Sequence, residues 1–183
     1  LLDTFCNKSS VLGGHPDIQI PGVETITGSL GIGFSTAVGI AISLKIKKNS
    51  RKVFTILGDG EMNEGIVWEA CLSASKNKLD NLSIIIDKNN LQTYDTPEAV
   101  AGLNNLYLKL TSFGFETRMV DGHSISKITR ILKKLPFKKN KPNALICNTI
   151  KGKGISFAEN NKHWHHKSFL SKEDIDRLEK ELS

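Results

Sequence analysis

Cysteine is scarce in this sequence, and its three occurrences, Cys6, Cys71 and Cys147, show neither CxxC spacing nor an evident pairing. A small disulfide-stapled fold is therefore excluded as the organising idea; free thiols in a reducing, cytoplasmic compartment are expected. Long apolar runs are missing too. The most apolar window, 32–44, is broken by Gly33, Ser35, Thr36, Gly39 and Ser43 and is too short to span a bilayer, so no membrane partner is expected. No signal-peptide pattern is visible. Acidic residues are outnumbered, leaving a net charge of +6, with lysines concentrated between Lys127 and Lys153. That basic balance lacks the aromatic interleaving, zinc-finger spacing and RNA-binding signatures of nucleic-acid recognition. A solvated lysine face, or attraction of phosphorylated small molecules, accounts for it better. The first residue is Leu1 rather than Met, so a cut-back or processed N-terminus is expected.

What is present describes one ordinary globular domain, 1–183, with 39% hydrophobic and 24% charged residues and no internal repeat or boundary. It is organised around 53–91. A short apolar run (Val53, Phe54, Ile56, Leu57) stops at Gly58-Asp59-Gly60; an amphipathic segment runs from about Glu64 to Lys76. A second apolar run, Leu82 to Ile86, stops at Asp87-Lys88-Asn89-Asn90. Strand, turn, helix, strand, turn puts both polar turns at the carboxyl ends of neighbouring parallel strands, where open α/β sheets bind ligands. Oxygen ligands beside a helix N-terminus make a place for a metal ion holding a phosphorylated molecule.

The flanks fit the same pattern. Residues 1–29 show little periodicity, and a Gly- and Ala-rich helix is expected over Leu30 to Lys48. Asp95 to Ala101 reads as a surface loop, Leu103 to Phe113 as a helix ended by Gly114, and Phe115 to Val120 as a third strand. Ser124 is placed as N-cap of a helix over Ile125 to Leu135, and Ala144 to Thr149 as a fourth strand. Lys151-Gly152-Lys153-Gly154 follows, then a polar stretch with His163, Trp164, His165 and His166, then a helix capped by Ser171 and running to Leu182. The alternation predicts an α/β fold: a doubly wound, mostly parallel sheet with helices on both faces.

Position, not residue type, selects the site. The chain has 14 asparagines and three Asn-Asn pairs, but only Asn89-Asn90 follows a buried-type strand, one β-α-β repeat after Asp59. Mg²⁺ takes octahedral oxygen ligands, and the Asp59 carboxylate, the Asn89 carbonyl, the Leu91 backbone carbonyl, two diphosphate oxygens and a water make six.

GDG followed after about 28 residues by NN is the thiamine diphosphate motif, and GDGEMNEGIVWEA closely resembles transketolases. GGHPDIQIPGVETITGSLGIGFSTAVGIA resembles the stretch leading into the cofactor domain of that family, and TIKGKGISFAENNKHWHHK its closing segment; the resemblance covers nearly the whole chain. It implies that Asp59, Asn89 and Leu91 bind Mg²⁺ or Ca²⁺. Gly58, Gly60 and Glu61 surround the diphosphate, and Gly28 and Leu30 touch the thiazolium and aminopyrimidine. By the same resemblance His15 would hydrogen-bond the donor ketose, His165 would contact diphosphate and substrate and assist proton transfer, and Lys151 would lie near the diphosphate. Glu64 belongs to a carboxylate network linking paired active sites.

Plainer readings stand beside these. His15 before Pro16 is also a turn residue, Glu64 also complements a helix dipole, and Lys151 is also one more surface lysine. The trio His163, His165, His166 hints at zinc without a supporting Cys or second cluster. Two departures bear on His165: the family's Trp-His-Gly-Lys, small residue, Pro becomes Trp164-His165-His166-Lys167-Ser168-Phe169. Nothing matches the family's initial segment with its further histidines, nor its second domain with the glutamate that activates the aminopyrimidine. The resemblance thus implies ketol transfer between sugar phosphates by a homodimer or α2β2 assembly, with a C-terminal section or partner chain supplying the pyrimidine domain. Alternatives are another thiamine diphosphate enzyme (a deoxyxylulose-phosphate synthase or a 2-oxo acid dehydrogenase component) and a non-catalytic half that only binds a partner.

Overall fold

A computed structural model of the chain describes residues 2–93, 95–165, 167 and 169–182. Four strands form one parallel sheet: β1 (Val53–Gly58), β2 (Leu82–Lys88), β3 (Glu116–Asp121) and β4 (Asn143–Asn148), in the order β1-β2-β4-β3. The register aligns their carboxyl ends, with Gly58 beside Asp87, Lys88 beside Asn148 and Asp121 beside Asn148. All four following turns therefore open on one edge of the sheet.

Near-continuous apolar runs mark strands covered on both faces. Ile84, Ile86, Ala144 and Ile146 are buried against one layer made of α1 (Ile32–Ile46), α2 (Gly65–Lys76) and α4 (Leu106–Ser112). Small side chains do the packing there: Ala37 and Ala41 of α1 and Ala70, Cys71 and Ala74 of α2 are buried, and the two helices pack on each other as well as on the sheet. The Cys71 thiol is pushed up to about 12 by burial, which leaves it an inert packing residue. On the opposite face Val120, Leu145 and Cys147 meet Ile128, Ile131 and Leu132 of α5 (Ile125–Leu132). Helices thus lie on both faces, as the alternation predicts. That second layer covers only the β4–β3 side: Phe54 and Ile56 of β1 remain 50% and 73% exposed.

Element edges shift where local chemistry outweighs periodicity. The expected loop 95–101 contains a short helix, α3 (Pro97–Ala101), because Thr96 Oγ1 accepts the Ala99 amide at 3.1 Å and Pro97 sits at a first-turn position. α1 starts at Ile32 rather than Leu30 because Gly31 is left-handed, with φ of 81°. α4 starts at Leu106 rather than Leu103, where Asn105 Oδ1 accepts the Leu108 amide at 3.1 Å. Ser124 does occupy the N-cap position of α5 but makes no capping bond; its hydroxyl pairs with Ser126 Oγ at 3.3 Å, and α5 stops at Leu132 instead of Leu135. Ser171 caps α6 (Lys172–Leu182) as expected, accepting the Asp174 amide at 3.2 Å. Among the described residues no helix is long and apolar enough to cross a membrane.

Candidate functional site

The hydrogen bonding of β1 runs past its last residue, Gly58. The Asp59 amide donates to the Asp87 carbonyl at 3.1 Å, carrying the β1–β2 ladder one residue into the turn. Asp59 is thereby fixed, and it is only 3% exposed. Its Oδ1 accepts the Gly60 amide at 2.9 Å and its Oδ2 the Asn90 amide at 2.6 Å. One carboxylate thus ties together the two turns that the sequence separates by a helix. Burial raises the Asp59 pKa above the usual carboxylate range; the two amides pull it down, while the nearby Asp87 charge adds to the rise. A carboxylate whose charge is penalised by burial is one that a cation would stabilise.

The second turn sorts its two asparagines by role. Asn90 adopts a left-handed φ of 60°, gives its amide to Asp59 and accepts from Lys88 Nζ at 2.8 Å. Asn89 Oδ1 accepts the Leu91 amide at 3.0 Å and, like Leu91, lines a cleft of about 440 Å³. That cleft is also lined by Leu30, Gly58, Asp59, Gly60, Glu61, Glu64, Lys151 and His165. His15 and Gly28 line a neighbouring hollow of about 630 Å³, whose walls Leu30 and Glu61 share with the first. Every candidate site residue from the sequence is accounted for by these two spaces.

Glycine is required at two of those positions. Gly28 has φ of 150°, and a Cβ there would lie 2.7 Å from the ring of His15. A Cβ on Gly60 would lie 2.8 Å from Gln92 Oε1. Each glycine lets a polar side chain approach bare backbone.

The closing segment delivers His165 through stacked rings. Phe157 and Trp164 lie 5.1 Å apart, Lys167 Nζ sits 4.3 Å from the Trp164 ring and Arg177 of α6 lies 4.1 Å from the Phe157 ring. Lys162 Nζ reaches Asp95 Oδ1 at 2.6 Å, and Asn161 Oδ1 accepts the His163 amide at 3.0 Å. Lys151 is held by its carbonyl, which accepts the Asn160 amide at 2.9 Å. Phe169 is exposed; His166 and Ser168 of the same departure from the family pattern lie outside the described residues. Glu64 occupies the N-cap position of α2 with no side-chain capping bond, which leaves its carboxyl to the cleft it lines. Glu61 behaves differently: its oxygens meet the Gly31 amide at 2.7 Å and the Gly58 amide at 3.3 Å.

Two further residues of the cleft, and one that braces its border, carry little signal in the sequence. Asn63 Nδ2 donates to Gln92 Oε1 at 3.1 Å, and both line the cleft. Closeness in sequence to Glu64 and Leu91 is their only mark. His123 Nε2 accepts the Ile150 amide at 2.8 Å, tying the turn after β3 to the residue before Lys151; in sequence it is only part of a turn.

Chemically, the donor set is one buried carboxylate, one amide oxygen and one backbone carbonyl, all hard oxygens suited to Mg²⁺ or Ca²⁺. Among the described residues no group of three or more His, Cys, Asp or Glu side chains could hold a metal; His166 of the trio His163, His165, His166 lies outside them. Gly60 and the cationic Lys151 line the same cleft beside that set, and this pairing of hard oxygens with a lysine fits a metal-bound diphosphate tail.

Known proteins resemble this chain in sequence and fold. The sequence is 40% identical over 164 residues to one of the subunits of apulose-4-phosphate transketolase of Phocaeicola vulgatus, covering 90% of this chain and 58% of that protein. It is 35% identical over 185 residues to the 6-deoxy-6-sulfo-D-fructose transketolase subunit SqwG of Clostridium sp., covering 99% and 67%. The crystal structure of transketolase from Campylobacter jejuni superposes with a TM-score of 0.83 at 33% identity, covering 90% of this chain and 27% of that one. A Pichia stipitis transketolase in complex with sedoheptulose-7-phosphate gives 0.85 at 26% identity, covering 98% and 28%. The chain therefore spans somewhat more than half of its subunit-type relatives and about a quarter of the full-length transketolases. The family described as transketolase, thiamine diphosphate binding domain, matches residues 2–183, and this chain belongs to it.

Proposed function

We propose that the chain is the diphosphate-binding part of a transketolase-type transferase, moving a two-carbon ketol unit from a ketose phosphate to an aldose phosphate. The observation that carries the reading is the convergence of ten candidate residues on one cleft around the buried Asp59, at the carboxyl ends of β1 and β2. Thiamine diphosphate, when bound, supplies the nucleophilic carbon that no side chain can provide. The chain's residues do the rest. Asp59, the Asn89 side chain and the Leu91 carbonyl would hold Mg²⁺ (or Ca²⁺), and the Gly60 backbone and Lys151 would lie against the diphosphate. Gly28 and Leu30 flank the ring end. His15 and His165 would orient the ketose hydroxyls and move protons at them, while Glu64 faces the paired site across the contact between protomers.

The pyrimidine domain that completes such a site comes from a further section or a partner chain, in a homodimer or an α2β2 assembly. Relatives named as single subunits of a transketolase support this division of labour. The excess of basic residues fits sugar phosphates. The test is a ketol-transfer assay with Mg²⁺ and thiamine diphosphate, run with and without a pyrimidine-domain partner. Transfer from a ketose donor only when both are present is the expected result. Full activity of residues 1–183 alone, or a preference for pyruvate as donor, would overturn it. Cofactor binding without turnover in the complete assembly would instead identify a non-catalytic half.

A further inference from the structure

Glu61 is the first residue of the single helical turn Glu61–Asn63 that follows the Gly58-Asp59-Gly60 turn. Its two carboxylate oxygens reach two backbone amides that lie far apart in sequence. Oε1 accepts from Gly31 at 2.7 Å, and Oε2 accepts from Gly58 at 3.3 Å. Gly31 is the N-cap of the 15-residue helix α1, left-handed at φ of 81°, and has no side chain to cap its own helix. The first amides of a helix have no partner within it, and an anion there also meets the positive end of the helix dipole. Glu61 supplies that anion from another element. The close fit extends further: a Cβ on Gly31 would lie 2.5 Å from Ile66 Cγ2 at the start of α2.

The two amides are adjacent to the residues that matter. Gly31 follows Leu30, at the end of the segment 28–30 that the cofactor reading sets against the rings. Gly58 precedes Asp59, which the same reading sets at the metal and diphosphate. Glu61 and Leu30 form the shared wall of the cleft and the neighbouring hollow. A carboxylate turned toward a diphosphate would repel it. With both oxygens on amides, Glu61 faces away from that role. It also occupies the N-terminus of α1, so α1 is not the helix that receives a phosphate.

We infer that Glu61 is a positioning residue, a carboxylate clamp that sets the spacing between the loop 28–30 and the turn 58–60, and so between the two ends of the cofactor. The inference rests on the cofactor reading above for what is being spaced, and on the two hydrogen bonds for the clamp itself. It distinguishes Glu61 from Asp59, whose side chain would touch the metal. A clamp acting on spacing has a signature that a direct ligand lacks. It should matter for a ligand that spans both anchors and much less for one that occupies only the diphosphate end.

The test uses the assembled enzyme with any partner present, and compares Glu61→Ala and Glu61→Gln with the wild type. Calorimetry in Mg²⁺ reads the affinity for thiamine diphosphate and, separately, for inorganic pyrophosphate. Losing two charge-assisted bonds should weaken thiamine diphosphate binding by about 10-fold or more in Glu61→Ala, with pyrophosphate changed by less than about 3-fold. Glu61→Gln keeps an acceptor for Gly31 and should recover most of the loss. Amide hydrogen exchange at Gly31 and Gly58 gives a readout independent of the cofactor: exchange should accelerate by at least about 10-fold in Glu61→Ala and far less in Glu61→Gln. Equal losses for both ligands, unchanged affinities, or unchanged exchange at both glycines would each overturn the clamp. Failure of the wild type to bind thiamine diphosphate would overturn the proposed function instead, while the exchange rates would still decide whether the clamp exists.

Discussion

The turns around Asp59 and Asn89 and the segments that carry His15 and His165 border the same pair of hollows, yet they are built by different physics. The turns extend a hydrogen-bonded ladder: Asp59 is locked by three main-chain partners, Asp87, Gly60 and Asn90. Beneath them lie Leu57, Ile84 and Ile86, each 2% exposed or less. The histidine-bearing segments have no such ladder. Among the described residues of 2–29 there is one short helical turn, Leu2–Thr4, and otherwise only isolated turns such as Ile20 on Asp17 and Val23 on Ile20. The stretch 157–165 is held by ring stacking and by the Lys162–Asp95 ion pair, whose side chains are about half exposed and contribute little. The difference teaches that, on the proposed reading, the site is preorganised where charge would be held and left to loops where a substrate would be admitted.

The most severe way to break the contrast is at its rigid end. Asp59→Ala should abolish metal-dependent thiamine diphosphate binding, a loss of at least about 100-fold by calorimetry. Wild-type affinity in that variant would remove Asp59 from the site. Protonation should imitate the substitution. The Asp59 carboxyl titrates above its usual range, so metal-dependent affinity should already decline at pH values where an ordinary aspartate is still ionised. The linkage to folding has the opposite sign. A carboxyl whose folded pKa is raised favours the fold at low pH, and that contribution is lost as pH rises through the folded value. Melting curves of the metal-free protein against pH, with Asp59→Asn as control, separate the two effects.

The histidines should behave as catalytic groups without anchoring the cofactor. His15→Gln or His165→Gln should lower kcat by about 100-fold or more, with His15→Gln leaving thiamine diphosphate affinity within about 3-fold of wild type. If His15→Gln instead cost as much cofactor binding as Asp59→Ala, the proposed division between anchor and substrate arm would be wrong.

A smaller effect is expected from the packing beneath the turns. Ile86→Ala, with its side chain wholly buried under the Asp87 end of β2, should destabilise the fold by about 2–5 kcal/mol in a denaturant titration. Smallest of all is the arm's own support. Ser171→Ala removes the cap of α6 and should cost about 1 kcal/mol. Cofactor affinity should stay unchanged while amide exchange in α6 and the 157–167 stretch rises. A loss of cofactor affinity there would show that the arm also bears on the anchor.

Much of this architecture is legible in the sequence because the signals are local. Apolar runs stopped by Gly58-Asp59-Gly60 and by Asn89-Asn90 place two strands and two turns, and a β-α-β spacing makes those strands parallel neighbours. The short helix α3 escapes such a reading because its start is written in two residues, Thr96 and Pro97, within a stretch otherwise rich in loop formers. Ser124 misleads because a capping residue type does not choose its own rotamer. Glu61 reads as a neighbour of the diphosphate because it follows the turn that would hold it. Its partner Gly31 lies 30 residues away, and no periodicity links them. Gln92 and Asn63 go unmarked for the same reason: their bond spans 29 residues.

The sequence by itself therefore determined the fold class, the family and the residue types of the site, since strand runs, turn residues and motif spacing are properties of neighbours along the chain. Only the tertiary structure decided which way each polar side chain faces. It turned Asn90 onto Lys88 and Asn89 toward the cleft, and it put Glu61 on two amides and Asp59 between two turns. Those choices depend on which backbone groups are left without partners once the sheet and helices have formed, and that is settled only when distant segments are brought together.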